Sequence, residues 1–218
     1  MKATLCLFLF VMMGPVFGQG FRLQPGDLLF QDLDCGPLCD AIEAVTEGTE
    51  GADFSHVGIV SRVEGDRVWI TEAVAAGVVR TPLANFLRRS ADASGRPKVV
   101  VGRLKAAHRA RIPDALAQLR HYEGRPYDRV YRMDDSTYYC SELVQEVFGL
   151  FTVQPMTFLD PATGRTFPAW VDYYEALGVP IPEGAPGLNP GGVSRSDALD
   201  IVHAYGRPYG WRGHLTTP

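Results

Sequence analysis

Residues 137–148 read TYYCSELVQEVF, and this stretch decides the fold because it predicts a helix that carries a cysteine in its first turn. Its apolar positions recur at helical spacing and would form a buried stripe; they are Leu143, Val144, Val147 and Phe148. Thr137 or Ser136 is the expected N-cap. Cys140 precedes the stripe by one turn, so its side chain is expected to project toward the core.

A cysteine at that position is a candidate nucleophile. The helix dipole and the unpaired N–H groups of a first turn stabilise a thiolate and lower the pKa of the thiol. The same N–H groups can bind the oxyanion that forms when a carbonyl is attacked. The alternative is a buried structural cysteine without chemistry, which is the commonest fate of a single thiol.

A hairpin upstream supplies a candidate base. Residues 57–60 and 68–71 read as two strands, joined by a turn centred on Gly65. With that centre Gly58 opposes Glu72, so that His56 and Glu72 share one face as diagonal neighbours, roughly 5–8 Å apart. The carboxylate would accept the imidazole N–H and fix its tautomer. A slip of one residue would put Glu72 on the other face, leaving a strand-end histidine and a solvated carboxylate.

The rest of the core predicts an α+β fold in one domain. The 218 residues are 46 % hydrophobic and 21 % charged, which suits a globular chain with its own core. Further strands are expected at 28–30, 77–81 and 98–104, and further helices at 83–89 and from Pro113 to about Glu123. This order favours an antiparallel sheet or partial barrel packed on the cysteine-bearing helix. The net charge of −4 argues against a nucleic-acid partner.

Residues 151–218 differ from the core in being rich in proline and aromatic residues. We expect them to wrap over the core as part of the same domain, because no alternating strand pattern is evident there. One short helix is expected near Pro168–Leu177. Another is expected at 196–204, capped by Ser194 or Ser196.

The N-terminus predicts export. Lys2, an apolar run at 3–13 and small residues before an expected cleavage after Gly18 are the pattern of a secretory signal peptide at residues 1–18. The alternative is an uncleaved anchor. If the signal peptide is cleaved, the catalytic core occupies residues 19–150 of a periplasmic or extracellular protein. No later apolar run approaches about 18 residues, so no integral membrane segment is expected after cleavage.

Three cysteines remain after cleavage, and an odd number leaves one thiol unpaired within the chain. Cys35 and Cys39 bracket a tight turn at Gly36-Pro37-Leu38, and their separation permits a short disulfide. Cys140 would then be the free thiol. A metal site would need His and Cys at ligand spacing, and none is visible, so no metal or other cofactor is expected.

Three short motifs, in a fixed order, carry a resemblance to a known family. They read PGDLLF at 25–30, SHVGIV at 55–60 and YCSELV at 139–144. In this order they resemble the permuted NlpC-type, papain-like cysteine hydrolases, in particular the YiiX/YebB-like branch. In unpermuted relatives the Cys helix precedes the His strand, whereas here the His strand comes first. The stretch GRPYD at 124–128 also fits, and the resemblance implies that Tyr127 faces the pocket of the nucleophile.

The resemblance implies an exported cysteine hydrolase that cleaves an amide. Cys140 would be the nucleophile and His56 the general base, with Glu72 orienting His56; the Cys140 N–H and Tyr127 would stabilise the oxyanion. The third member varies among relatives, so Glu72 depends on the hairpin register. Cell-wall peptides are the usual substrates of the wider family.

Two other functions remain open. The permuted architecture is also similar to that of the lecithin retinol acyltransferase-like enzymes, which favours acyl transfer or lipid-ester cleavage. A non-catalytic ligand-binding module on the same fold is the other alternative. Cys39 is a rival thiol, although Cys35 is available to pair with it, and His108, His121 and His203 are expected to lie at the surface or in the tail.

Overall fold

A six-stranded antiparallel sheet forms the centre of the molecule, with the strand order β4-β3-β2-β1-β5-β8. The computed structural model describes residues 20–133 and 136–214, and the predicted signal peptide at residues 1–18 lies outside the described residues. The strands of this sheet are β1 Leu28–Gln31, β2 His56–Glu64, β3 Arg67–Val74, β4 Gly77–Pro82, β5 Val99–Leu104 and β8 Leu199–Ala204. A second, two-stranded sheet pairs β6 Gln154–Pro155 with β7 Pro186–Gly187.

The helices of the described residues lie between these strands along the chain. They are α1 Pro37–Ala44, α2 Leu83–Arg89, α3 Ile112–Tyr122, α4 Cys140–Phe148, α5 Pro168–Leu177 and α6 Pro190–Ser194, with 3-10 turns at Thr49–Gly51 and Ala106–Arg111. Helix α4 begins at Cys140 and ends at Phe148, and it is capped by Gly149, whose φ of 60° is the left-handed conformation that closes many helices. The predicted α+β fold is therefore confirmed.

Both faces of the sheet are covered, which explains why β1 reads as a continuous buried run. On one face Leu28, Phe30 and Ile59 pack with the apolar stripe of α4. The side chains on the other face pack against α2, in a buried cluster that contains Leu29, Val60, Ile70, Phe86 and Leu87. The cysteine-bearing helix and α2 thus lie on opposite sides of β2 and β3.

Gly58 allows α2 to approach the sheet closely. A Cβ at this position would lie 2.5 Å from Ile70 Cγ2 and 2.9 Å from Phe86 Cε2, so a larger residue would push the helix away. The close approach matters because α2 ends at Arg89, whose side chain reaches the carboxylate of Glu72.

The C-terminal segment contributes more to the sheet than the sequence predicted. The prediction of a helix at 196–204 is wrong. Leu199–Ala204 forms strand β8 instead, which pairs with β5 through Val101–His203 and Leu104–Leu199. Without β8, the edge of β5 would lack a partner, and Ile201 and Val202 are β-branched residues that suit a strand. The predicted helix at Pro168–Leu177 is present as α5.

Candidate active site

The first turn of α4 holds the candidate nucleophile in the core. Tyr139, rather than the predicted Thr137 or Ser136, is the N-cap, and its N–H donates to the Glu142 carboxylate at 3.2 Å. Cys140 follows, with only 7 % of its surface exposed. Burial alone would raise the pKa of this thiol, but its hydrogen bond with His56, the charge of that residue, and N–H donors from Val57 and Ser141 lower it.

His56, at the start of β2, lies between the Cys140 thiol and the Glu72 carboxylate. Its Nε2 is 2.6 Å from Glu72 Oε2, and the ring also hydrogen-bonds Cys140, which leaves Nδ1 for the sulfur. Burial would lower the pKa of His56, but the hydrogen bonds with Cys140 and Glu72, together with their charges, raise it to about 9. The directions of the two shifts favour a thiolate–imidazolium pair.

Glu72 is held from three sides on β3. Its side chain has no exposed surface, and besides His56 it accepts a hydrogen bond from Thr81 Oγ1 at 2.6 Å. Arg89 donates to both of its oxygens, at 2.6 and 3.2 Å. Burial would raise the pKa of Glu72, but hydrogen bonds and charges from His56 and Arg89 lower it to about 2. The carboxylate is therefore ionised at any ordinary pH.

The hairpin brings His56 and Glu72 to the same face by a route different from the predicted one. The turn consists of Gly65 and Asp66, so Glu64 pairs with Arg67 and not with Asp66, its partner in a turn centred on Gly65. A bulge between Val60 and Arg62 then shifts the register by one, so that Ile59 opposes Thr71. Without the bulge Ile59 would oppose Glu72, and the carboxylate would face α4 instead of α2.

Cys35 and Cys39 form a disulfide across the start of α1, with a Cα–Cα distance of 5.5 Å. Cys140 is the free cysteine among the described residues. Cys39 is thus joined to Cys35 and does not contact His56 as a thiol. Helix α1 continues from this disulfide to Ile42, whose side chain lines the cleft at Cys140.

Tyr127 faces the candidate nucleophile from the loop between α3 and α4. Its hydroxyl lies 3.4 Å from the hydroxyl of Tyr131, and both side chains line the cleft beside Cys140. Burial, with the neighbouring Tyr131 and the charge of Cys140, raises the pKa of Tyr127 well above its usual value, so it remains a hydrogen-bond donor at neutral pH. Tyr131 has a φ of 58°, an uncommon conformation for a residue with a side chain.

A cleft of about 850 Å³ opens at Cys140 and His56. The C-terminal segment forms much of its wall, in which apolar and polar side chains both occur; the apolar lining residues from this segment include Phe151, Met156, Phe158, Trp170 and Val193. His108, expected at the surface, lines the cleft as well, whereas His203 lies on β8 and stacks on Phe21.

Leu188 fastens the C-terminal segment to the helix of the nucleophile. Its N–H donates to the hydroxyl of Tyr139 at 3.0 Å, and its carbonyl accepts from the hydroxyl of Ser141, also at 3.0 Å. These two residues flank Cys140, so residue 188 straps the turn that carries the sulfur.

Sequence reasoning missed four side chains that contact this site. Arg89 lies in the last turn of the helix predicted at 83–89, and no pattern distinguishes it from Arg88, its exposed neighbour. Thr81 and Tyr131 reach the site from a strand end and an irregular loop, where periodicity gives no signal. Gln31 ends an apolar strand, and this position in a buried run is the one sequence feature that indicates a role.

Comparison with known proteins places these observations in a family. A family model for permuted papain-like amidase enzymes of the YaeF/YiiX type, family C92, matches residues 22–203. The uncharacterized protein YiiX of Escherichia coli (strain K12) is 29 % identical over 149 residues, which cover 68 % of this chain and 67 % of that protein. The crystal structure of a protein described as metalloprotein yiiX from Escherichia coli O157:H7 aligns with a TM-score of 0.70 and 24 % identity, over 86 % of this chain and all of that one.

Within residues 20–133 and 136–214, no helix combines the length and apolar character needed to cross a membrane. In the same part of the chain, no group of three His, Cys, Asp or Glu side chains is placed to hold a metal ion.

Proposed function

The chain belongs to the YaeF/YiiX family of permuted papain-like amidases, and from this premise we propose that it hydrolyses an amide through a thioester on Cys140. The observation that carries the proposal is the buried series of contacts from Glu72 through His56 to Cys140. The raised pKa of His56 and the lowered pKa of Cys140 favour an imidazolium beside a thiolate, which is the reactive state of a cysteine hydrolase.

The first half of the reaction would form the thioester. The Cys140 sulfur attacks the carbonyl carbon and the π electrons move to oxygen, which the N–H groups of the first turn of α4 and the Tyr127 hydroxyl stabilise. The oxyanion then collapses and the C–N bond breaks. His56 gives its Nδ1 proton to the departing nitrogen, which leaves as an amine.

The second half would release the acid. Neutral His56 accepts a proton from water at Nδ1 while the water oxygen attacks the thioester carbonyl. The C–S bond breaks, the carboxylic acid leaves, and the thiolate–imidazolium pair is restored. Glu72 keeps Nε2 protonated in both halves, so Nδ1 is the nitrogen that exchanges the proton.

A peptide amide of the cell-wall type is the proposed substrate, encountered after export to the periplasm or the cell exterior. The disulfide between Cys35 and Cys39 supports export, because disulfides persist in oxidising compartments. The features of residues 1–18 support it independently. N-terminal sequencing of the protein recovered from fractionated cells should find a chain that begins at residue 19.

The apolar side chains among those that line the cleft favour a second candidate function. Side chains such as Leu150, Met156 and Phe158 suit an acyl chain as well as an apolar peptide side chain. The same thioester could then come from a lipid ester, or could pass its acyl group to an acceptor other than water.

One experiment tests these alternatives together. The mature protein and its Cys140→Ser variant are incubated separately with purified muropeptides and with vesicles that contain acyl-lipids, and the products are identified by mass spectrometry. Release of a free amine and a carboxylic acid from the muropeptides, by the wild type alone, is the expected result. Release of fatty acid only would favour the second function. Equal turnover by both proteins would exclude Cys140 as the nucleophile, and no product with no labelling by a thiol-directed probe would favour a binding module.

A further inference from the structure

Arg89 contacts the candidate site from behind Glu72, on the face of the sheet opposite to α4. Its Nη2 lies 2.6 Å from Glu72 Oε2, and its Nη1 lies 3.2 Å from Glu72 Oε1. The same Nη2 donates to Gln31 Oε1 at 2.7 Å. The guanidinium carbon lies 5.0 Å from the centroid of the Phe86 ring. Arg89 therefore holds both carboxylate oxygens in a fork whose own position is fixed.

Gln31, the second hydrogen-bond partner of Arg89, is itself immobilised. Gln31 is fully buried, and its Nε2 donates to the carbonyl of Phe86 at 2.7 Å and to Ser90 Oγ at 3.1 Å. Both ends of this amide are thus engaged, which fixes its orientation and aims its oxygen at Arg89. The Arg89 side chain is 34 % exposed, whereas the side chain of Glu72 has no exposed surface. The pair therefore differs from a surface ion pair, and it is suited to holding a buried functional carboxylate in place.

Charge explains what the fork adds. In the reactive state the thiolate of Cys140, the imidazolium of His56 and the carboxylate of Glu72 together carry one net negative charge in a buried place. Arg89 supplies the fourth charge, so that signs alternate along the series and the total is zero. Among the described residues, His56 from β2 and Arg89 from α2 are the charged groups that lower the pKa of Glu72 most. Without Arg89, burial would favour protonation of Glu72.

A protonated Glu72 would place the wrong proton on His56. The carboxylic acid would donate to Nε2, and the neutral ring would then carry its proton on Nδ1, which faces the sulfur. That tautomer cannot accept a proton from the thiol. We propose that Arg89 is a positioning residue of this site, which acts through Glu72 by gripping both carboxylate oxygens and supplying the countercharge that keeps Glu72 ionised. The inference rests on the proposed thiolate–imidazolium pair.

The rate at which iodoacetamide alkylates Cys140 tests this role without a known substrate. The rate is measured against pH on the mature protein, and the modified residue is located by mass spectrometry. In the wild type the rate should rise with pH below the ordinary range of a thiol, because the thiolate already exists there. Arg89→Met should move this rise upward on the order of 1 pH unit, because a nearby positive charge no longer favours loss of the thiol proton.

Two further variants make the result specific. Arg88→Met removes the same charge from the adjacent position of α2, where the exposed side chain donates to Asn85 Oδ1 at 2.9 Å. This control should leave the rise where it is in the wild type. Arg89→Lys keeps the charge but not the fork, and should give a smaller displacement of the same sign. If Arg89→Met does not fold, as judged by thermal melting, Arg89→Lys takes its place.

The outcomes separate this inference from the proposed function. A wild-type rise at the ordinary pKa of a thiol would contradict the thiolate–imidazolium pair, whatever the Arg89 variants do. A low wild-type rise that is unmoved in the folded Arg89 variants, or moved equally in Arg88→Met, would overturn the role of Arg89 alone.

Discussion

Replacing Glu72 by Gln changes the charge of one buried group while nearly preserving its shape. In the wild type three groups donate to the carboxylate: His56 at 2.6 Å, Thr81 at 2.6 Å and Arg89 at 2.6 and 3.2 Å. An amide offers one acceptor oxygen and brings an NH₂ group of its own. At least one donor would therefore face another donor, and the His56 imidazolium would lose its negative partner.

The structure sets the size of the expected loss. We expect kcat to fall about 10- to 1000-fold, equivalent to roughly 1.4–4 kcal/mol of barrier, because the carboxylate orients His56 and stabilises its charge. The loss should be smaller than for a serine nucleophile, since a thiolate already exists at neutral pH. The lowered pKa of Glu72, about 2 against 4.5, also means that its ionised form stabilises the fold above pH 4.5 and that this contribution disappears as the pH falls through 2. Its size is about 3 kcal/mol.

The pH dependence of kcat/KM gives the clearest measurement. The alkaline limb reports loss of the His56 proton, whose pKa is about 9 in the wild type. Glu72→Gln should lower this pKa and move the limb to lower pH, and urea unfolding at pH 7 should show a lower free energy of unfolding. Glu64→Gln, an identical change at an exposed position of the same hairpin, is the control. If Glu72→Gln retains the kcat/KM and the alkaline limb of the wild type, the carboxylate does not act on His56.

Three other outcomes are expected. Cys140→Ser should abolish hydrolysis yet change the free energy of unfolding by only about 1 kcal/mol in urea titrations, because the side chains are nearly isosteric. Titration of the native mature protein should find one thiol, with Cys35 and Cys39 reacting only after reduction; three thiols without reductant would contradict the disulfide. Glu43 has one buried oxygen without a partner among the described residues, and burial raises its pKa to about 7 despite a hydrogen bond from Ser55. Its cost to stability appears as the pH rises from 4.5 to 7, so Glu43→Gln should raise the free energy of unfolding in urea titrations at pH 8 and not at pH 4. The expected gain is about 1 kcal/mol once solvent screening is allowed for.

Local pattern was enough to predict the elements that carry the chemistry. The helix at Leu83–Arg89 has the predicted bounds, and the helix that carries Cys140 ends at Phe148 as predicted, although its N-cap is Tyr139. The strand that follows His56 was equally clear from its run of β-branched residues. These are local signals, and a single sequence contains them in full.

The register of the hairpin shows where local pattern stops. A turn centred on Gly65 predicted the face of Glu72, yet the turn contains two residues and a bulge at Ser61 restores the register. The bulge is stabilised by hydrogen bonds that join Ser61 to Thr71 Oγ1 at 2.8 Å and to the Trp69 carbonyl at 3.3 Å. The turn and the bulge each shift the register by one residue, in opposite directions, so the predicted pairing near His56 is preserved. Neither the turn length nor the bulge follows from the order of residues, because both depend on cross-strand contacts.

Long-range contacts account for the rest. Residues 199–204 were expected to continue a helix, but pairing with the edge of β5 decides their conformation. Arg89 and Glu72 are 17 positions apart, and only the approach of α2 over Gly58 brings them together. The cleft wall around Leu188 likewise depends on how the C-terminal segment returns to α4, which no spacing in the sequence reveals.

The contacts of Leu188 with Tyr139 and Ser141 make the candidate site depend on a part of the chain that is synthesised late. A ribosome makes Cys140 well before residues 187–204, which later add the edge strand β8 and bind the two residues beside the sulfur. A nascent chain that stops short of them has an open sheet edge and a thiol whose supporting turn is incomplete. Full reactivity at Cys140 is therefore expected only in a chain that includes residues 187–204, and a chain truncated before residue 187 should lack it.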